Sequence, residues 1–280
     1  MKLKKDAEIG TLLTIKVKDA VGDLYFPESI DDIIRFTAEF DDYRVLAGGS
    51  NIIAGKVEKP LLYMGGVIST SDTDDVDEFL VKAFMPSWVS TTSLLDYSVK
   101  NGFSGLEFLA GIPGTLGGAL YGNAAPAGSS LDDVVGVIYV IQEGKIFPLV
   151  PQYSYRSLDN KPKGNFVIYG CELILVKDTP ENVKQRISWF LSKRIKIKGF
   201  SSGSLFKNPK DGKAGFMLEQ CGMKGFSVGG AKLSDNHANI ILNTGEGTFS
   251  DFCALKDIAI GRVKDKFGVV LEPEVQFWYN

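Results

Sequence analysis

Two glycine-rich stretches supply the backbone against which this chain could do chemistry. In Leu46-Ala47-Gly48-Gly49-Ser50-Asn51, paired glycines follow directly on the strand-like run Tyr43-Arg44-Val45-Leu46. Glycine lets backbone N–H groups approach a phosphate closely, and the Ser50 hydroxyl or the Asn51 amide can donate beside them. The same residues also fit a tight turn without a ligand, and their spacing is not the GxGxxG of a dinucleotide-binding βαβ unit. The second stretch, GLEFLAGIPGTLGGALYGN, runs from Gly105 to Asn123. So many glycines raise the conformational entropy lost on folding, which favours a backbone-lined groove with a ligand against it over a plain loop.

Other residues narrow the chemistry. Cys171, Cys221 and Cys253 are far apart, form no CxxC pair and have no neighbouring histidines. They read as reduced, mostly buried thiols rather than zinc ligands. His237 is the sole histidine, so no metal cluster is expected. With 31 basic against 34 acidic side chains the formal charge is -3, and no concentrated Lys/Arg arm offers a nucleic-acid footprint. The start, Met1-Lys2-Leu3-Lys4-Lys5-Asp6, lacks the apolar core of a signal peptide. No later stretch reaches the roughly 18 continuous apolar residues of a membrane span, so the chain reads as cytoplasmic.

The elements that must position these residues follow from periodicity. At 280 residues, 44 % hydrophobic and 23 % charged, the chain should form two or three compact units around one site. Ser29 caps a helix bearing Ile30, Ile33, Ile34 and Ala38. Short β-rich runs then dominate, among them Val134 to Val140, Lys145 to Val150 and Phe166 to Val176. A helix from Glu181 to Lys196, with Val183, Ile187, Phe190, Leu191 and Ile195 at helical spacing after Pro180, reads as a connector between domains. Beyond it come a short helix Ala214 to Cys221, a strand Ala238 to Leu242, a helix Phe252 to Phe267 and a closing strand Val269 to Trp278. No fixed period recurs, which excludes solenoids and propellers.

Taken in order, the GGSN turn, Gly105 to Ala124, Tyr155-Arg156-Ser157, Gly203-Ser204-Leu205-Phe206-Lys207-Asn208-Pro209, Ala214 to Glu219, Lys224-Gly225, Gly229-Gly230-Ala231 and Leu271-Glu272-Pro273-Glu274-Val275 form a pattern. It resembles the UDP-N-acetylenolpyruvoylglucosamine reductases over nearly the whole chain after residue 44. GSLFKNP and LEPEV make the resemblance specific. It implies an α+β protein whose FAD-binding region, of the vanillyl-alcohol oxidase-like (PCMH) type, spans 1–195 in two lobes of about 1–60 and 61–195. A smaller α+β substrate-binding domain is expected at 196–267, and a C-terminal strand, 268–280, should return to the active site.

The implied activity is NADPH-dependent reduction of UDP-N-acetylglucosamine enolpyruvate to UDP-N-acetylmuramate, a step in peptidoglycan precursor synthesis. An alcohol oxidase of the same flavin fold would leave GSLFKNP and LEPEV without a role. A nucleotide-binding module without catalysis would not need Arg156, Ser204 and Glu274 together. The segment Thr14 to Gly22 departs from the arginine and paired glycines of the family, so no cofactor contact is assigned before residue 44. The chain has room only for the shorter subtype, and its spacing leaves both Lys196 and Lys198 open as a phosphate-facing lysine.

On this resemblance FAD is bound non-covalently, lined by Gly48, Gly49, Ser50, Asn51, Gly111, Ile112, Pro113, Gly114, Thr115, Gly117, Gly118 and Asn123. Reducing an enol ether conjugated to a carboxylate requires hydride at one alkene carbon, stabilisation of the enolate, and a proton at the other carbon. Arg156 offers a planar donor fork to that carboxylate, although without the YRS match it would read as a surface arginine. Ser204 is the expected proton donor, where a serine after glycine would otherwise be a turn residue. Glu274 is the third catalytic candidate: protonated it can donate to the enolate, ionised it would repel that charge. Lys207 and Asn208 are expected at the UDP diphosphate, and His237 beside the substrate without a catalytic role.

Overall fold

A computed structural model describes residues 1–65, 72–124 and 129–279. Its helices are α1 (Ile30–Glu39), α2 (Thr91–Asn101), α3 (Leu116–Gly122), α4 (Pro180–Ser192), α5 (Ala214–Gln220) and α6 (Phe249–Phe267). The caps are written in the sequence. Ser29, Ser90, Thr179 and Thr248 each accept a backbone N–H from the first turn of their helix. Gly102 and Gly268, both left-handed, close α2 and α6.

The chain divides into two compact units, one of residues 1–3, 25–48 and 61–195, the other of 4–24, 49–60 and 196–280. The strands Lys2–Glu8, Val21–Phe26 and Lys56–Tyr63 each pass from one unit into the other. In the first unit an antiparallel sheet runs Lys145–Leu149, Val135–Gln142, Val167–Lys177, Leu80–Pro86, Asp72–Asp75. Strand residues with period two, including Val81, Ala83, Ile138, Val140, Leu173 and Leu175, bury one face against Leu94, Leu116 and Leu120 of α2 and α3. Each such Leu, Ile or Val contributes about 1.5–3 kcal/mol on full burial. A second cluster joins Ile33 and Phe36 of α1 to Tyr43, Leu62, Ile141 and Val167.

In the second unit a four-stranded antiparallel sheet is ordered Phe200–Ser204, Ile240–Asn243, Ala231–Leu233, Ser227–Val228. Helix α6 buries Phe252, Leu255, Ala259 and Val263, the 3–4 spacing of one helical face, and packs on α5 and this sheet. The strand Gln276–Trp278 pairs in parallel with Ile52–Ala54.

Several sequence expectations need correcting. The connector helix ends at Ser192 rather than Lys196, and its Ile187 and Phe190 pack against the first unit's core. The closing strand is only Gln276–Trp278, since the residues before it run beside Leu205 and Lys207. Residues 4–24 and 49–60 join 196–280, drawn there by the Ile52–Ala54 pairing and by Asn243, whose Nδ2 donates to the carbonyls of Ile15 (2.9 Å) and Lys16 (2.7 Å). Among the described residues no helix is long and apolar enough to cross a membrane, and no group of three or more His, Cys, Asp or Glu could hold a metal ion.

Candidate active site

In the first unit the two glycine stretches meet backbone to backbone. The strand Arg44–Leu46 pairs in parallel with Leu61 to Tyr63 and delivers Gly48 so close to Gly114 that an added Cβ would lie 2.7 Å from the Gly114 Cα. Gly114 itself has φ +122°, open to glycine alone. Thr91, opening α2, fixes this turn: its Oγ1 donates to the Ile112 carbonyl at 2.6 Å and its N–H to the Gly114 carbonyl at 3.1 Å.

Thr115 caps α3, accepting the Gly118 N–H at 3.4 Å, while Leu116 and Gly117 N–H donate to the carbonyls of Val89 and Ser87. Much of the expected phosphate-binding backbone is thus engaged within the protein. Gly118 and Gly122 differ from Gly48. Among the described residues, a Cβ at Gly118 would meet nothing nearer than Thr115 Oγ1 at 3.7 Å, and one at Gly122 nothing within 4 Å. Packing among the described residues does not require glycine at these two positions.

Asn123 ends α3 in the left-handed region, φ +44°. Its buried side chain is spent on protein: Nδ2 donates to the Ser154 carbonyl at 3.0 Å, and Oδ1 accepts from Leu131 N–H at 3.3 Å. That clamp holds the hairpin of Tyr153–Ser154 and Ser157–Leu158, whose two-residue turn is Tyr155-Arg156. Arg156 has φ +58°, an uncommon conformation for a side chain of its size, and is half-buried. Its Nη1 donates to the Asn123 carbonyl at 3.4 Å and its guanidinium lies 5.3 Å from the Tyr155 ring centroid.

Arg194 was not anticipated. Its Nε donates to the Ala110 carbonyl at 2.8 Å and its Nη2 to the Phe108 carbonyl at 2.7 Å, directly before Gly111 (φ +76°). Burial, and then the positive charge of Arg156, hold its pKa below the ordinary guanidinium value. The two arginines thus hold carbonyls at the two ends of the glycine stretch. The only trace in the sequence is Lys193-Arg194 after the helix; Lys196 and Lys198, the two candidates for a phosphate-facing lysine, are exposed.

In the second unit, Gly49 (φ +58°) packs where an added Cβ would lie 2.5 Å from the Leu12 carbonyl oxygen, and its own carbonyl accepts the Thr14 N–H at 3.1 Å. Ser50 is half-buried. Asn51 is directed to protein: its Nδ2 donates to the Glu274 carbonyl at 3.0 Å, and its carbonyl accepts the Gln276 N–H at 3.0 Å.

The GSLFKNP and LEPEV segments lie side by side. Lys207 N–H donates to the Glu272 carbonyl at 2.9 Å, Glu274 N–H to the Leu205 carbonyl at 2.8 Å, and Phe206 bridges Pro273. The backbone of Glu274 is thereby held beside Leu205, the residue after Ser204, and Ser204 and Glu274 are both half-buried. Lys207 Nζ pairs with Glu272 Oε1 at 2.6 Å, and Asn208 Oδ1 accepts the Ala214 N–H at 3.1 Å, capping α5. His237 Nδ1 accepts the Asn239 N–H at 3.2 Å, and its ring lies over Gly215, where a Cβ would come within 2.7 Å of it.

The sequence profile of the UDP-N-acetylenolpyruvoylglucosamine reductase C-terminal domain matches residues 195–278. The reductase of that name from Trichlorobacter lovleyi is 33 % identical over 276 residues, covering 94 % of this chain and 89 % of the relative. The chain belongs to the UDP-N-acetylenolpyruvoylglucosamine reductase family. The reductase of Petrotoga mobilis is 29 % identical over 296 residues, with 99 % and 94 % of the two chains covered. The crystal structure of UDP-N-acetylenolpyruvylglucosamine reductase from Thermus caldophilus superposes with a TM-score of 0.82 at 25 % identity, covering 99 % of this chain and 98 % of that one. The reductase fold expected from the motifs, α+β throughout, is the fold observed.

Proposed function

We propose that this reductase uses bound FAD, recharged by NADPH, to saturate the enolpyruvyl group of UDP-N-acetylglucosamine enolpyruvate, yielding UDP-N-acetylmuramate for peptidoglycan. The observation that supports this reading is the pairing of the GSLFKNP and LEPEV backbones, in which the Glu274 N–H donates to the carbonyl of Leu205, the residue after Ser204. When bound, the flavin supplies the hydride. Gly48, Gly114, Gly118 and Gly122, with the turn from Gly111 to Thr115, would hold it without a covalent link.

The residues do the rest. Hydride added to the terminal alkene carbon leaves negative charge on the neighbouring carbon, delocalised into the carboxylate. Arg156 binds that carboxylate through its planar fork and takes up the growing charge. Ser204 Oγ delivers the proton to the charged carbon. Glu274 is the third residue assigned to that enolate, beside the strand end that carries Ser204. Lys207 and Asn208 receive the diphosphate, which requires Lys207 to exchange Glu272 for a phosphate oxygen. A nucleotide-linked substrate is made and consumed in the cytoplasm, which is where we place the enzyme.

The test separates the two half-reactions by anaerobic stopped flow. Ser204→Ala should leave flavin reduction by NADPH nearly intact and slow flavin oxidation by substrate by about 10²–10⁴-fold. Ser204→Cys should recover part of that rate. An unchanged second half-reaction in Ser204→Ala would remove Ser204 from the mechanism, and protein that takes up no flavin would remove the cofactor.

A further inference from the structure

The strand that carries Ser204 does not hold it by ladder pairing alone. Between Phe200–Ser204 and Ile240–Asn243 the register shifts between Ser201 and Ser204, and Gly203 turns to φ +76°. A strand that breaks step directly before a reacting side chain leaves that side chain poorly fixed unless another group takes over. Asn239 takes over. It is 4 % exposed, and its side-chain amide grips both polar groups of one residue, Oδ1 accepting the Phe206 N–H at 3.0 Å and Nδ2 donating to the Phe206 carbonyl at 2.7 Å. Its own carbonyl accepts the Leu205 N–H at 2.7 Å, and its own N–H donates to His237 Nδ1 at 3.2 Å.

Leu205 is therefore shared. Asn239 holds its N–H from one side, and its carbonyl accepts the Glu274 N–H from the other. A displacement of Leu205 or Phe206 would carry Ser204 and Glu274 out of place together. We infer that Asn239 is the positioning residue for proton delivery, holding Ser204 and Glu274 in register, with His237 orienting Asn239 in turn. This inference rests on the proton-donor role proposed for Ser204. Burial explains the use of an amide: one side chain supplies both the acceptor for the Phe206 N–H and the donor for the Phe206 carbonyl away from water. A misplacement of about 1 Å in a reacting group can slow a reaction about 10²-fold, so the effect falls on rate before it falls on binding.

Two variants test it. Asn239→Ala removes both side-chain bonds. Asn239→Asp keeps the shape and the bond from the Phe206 N–H but turns a carboxylate oxygen toward the Phe206 carbonyl, and it serves where Asn239→Ala does not fold. In each, flavin reduction by NADPH should stay within about twofold of the parent, while flavin oxidation by the enolpyruvyl UDP-sugar should slow about 10²-fold. The solvent deuterium isotope effect on that second step should rise as proton delivery becomes rate-limiting. A merely structural asparagine would instead depress flavin content, both half-reactions and thermal stability together, with no change in isotope effect, and that result would overturn the inference. Slowing by Ser204→Ala with parental behaviour in both Asn239 variants would overturn this inference alone. An unaffected second step in Ser204→Ala would overturn the reading beneath it.

Discussion

Individual side chains in this protein divide into those poised for ligand and those spent on holding backbone. Asn51, Asn123 and Asn208 all lie in motifs expected to touch cofactor or substrate, yet each has its side-chain amide bonded to a backbone group of the protein. Arg194 makes the same point from a position outside every motif. Its two bonds to the Phe108 and Ala110 carbonyls fix the entry to the glycine turn, and hydrogen bonds from a charged donor each contribute roughly 1.5–3 kcal/mol. Arg194→Met should therefore weaken flavin binding about tenfold or more, read by titrating apo-protein with FAD and following its fluorescence. Arg194→Lys, which cannot reach both carbonyls with a planar fork, should recover little of the loss. Flavin affinity unchanged in Arg194→Met would mean that the turn holds its shape without the clamp. Cys171, buried and adjacent to Glu172, has its thiol pushed up, first by burial and then by that carboxylate, so it should resist maleimide until the protein unfolds.

Elements place these residues through contacts of backbone on backbone. Gly48 lies two residues beyond the end of a strand three residues long, Arg44–Leu46, and its approach to Gly114 joins the two turns backbone to backbone. Gly48→Ala forces one of them to move. Overpacking of this kind typically destabilises by about 1–3 kcal/mol, and the displaced turn should also lose flavin. Both should be visible, in thermal melts and in the visible spectrum of the purified variant. Helix α6 offers the contrasting case. Thr248 and Asp251 form a capping box at its start, remote in sequence from the glycine stretches. Thr248→Ala should destabilise by about 1 kcal/mol while leaving FAD affinity as it was. A drop in flavin affinity there would show that the melt and the cofactor report the same event, and would weaken the meaning of the Gly48 result.

Across the whole molecule, the charged groups beneath the glycine stretch set how stability depends on acid. Burial pushes the Glu107 carboxyl upward, but bonds from Arg186 Nε (2.8 Å), Gly105 N–H (2.8 Å) and Ser104 Oγ (2.9 Å) together outweigh it and hold the carboxyl below its usual range. Asp178, bonded to Asn182, Arg186 and the Thr179 N–H, is lowered to about 2. A carboxyl whose folded pKa lies below its unfolded value stabilises the fold above the unfolded value, about pH 4, and that stability is lost as pH falls through the folded value. Urea melts should therefore show stability nearly level from neutrality to about pH 5, then falling steeply toward pH 2. Glu107→Gln should lose about 1–3 kcal/mol at neutral pH and flatten the acid limb. An acid limb as steep as the parent's would assign it to other carboxyls.

How much of this was legible beforehand follows from the range of the interactions involved. Ser29 as a cap, the period-two strands and the 3.6-period helices are local, since their causes lie within a few residues, and they stand in the structure within a few residues of where they were expected. The motif order from GGSN through GSLFKNP to LEPEV was specific enough to identify the family before any coordinates. Tertiary structure alone decided which chain segments share a unit, because residues 4–24 and 49–60 are held through Asn243 and the Gln276–Trp278 pairing, far away in sequence. It alone picked out Arg194, whose acceptors are 84 and 86 residues distant, and Asn239, whose partner Phe206 is 33 residues away. A side chain that holds distant backbone leaves no periodicity and no spacing to read, since its partner is chosen by the folded path of the chain.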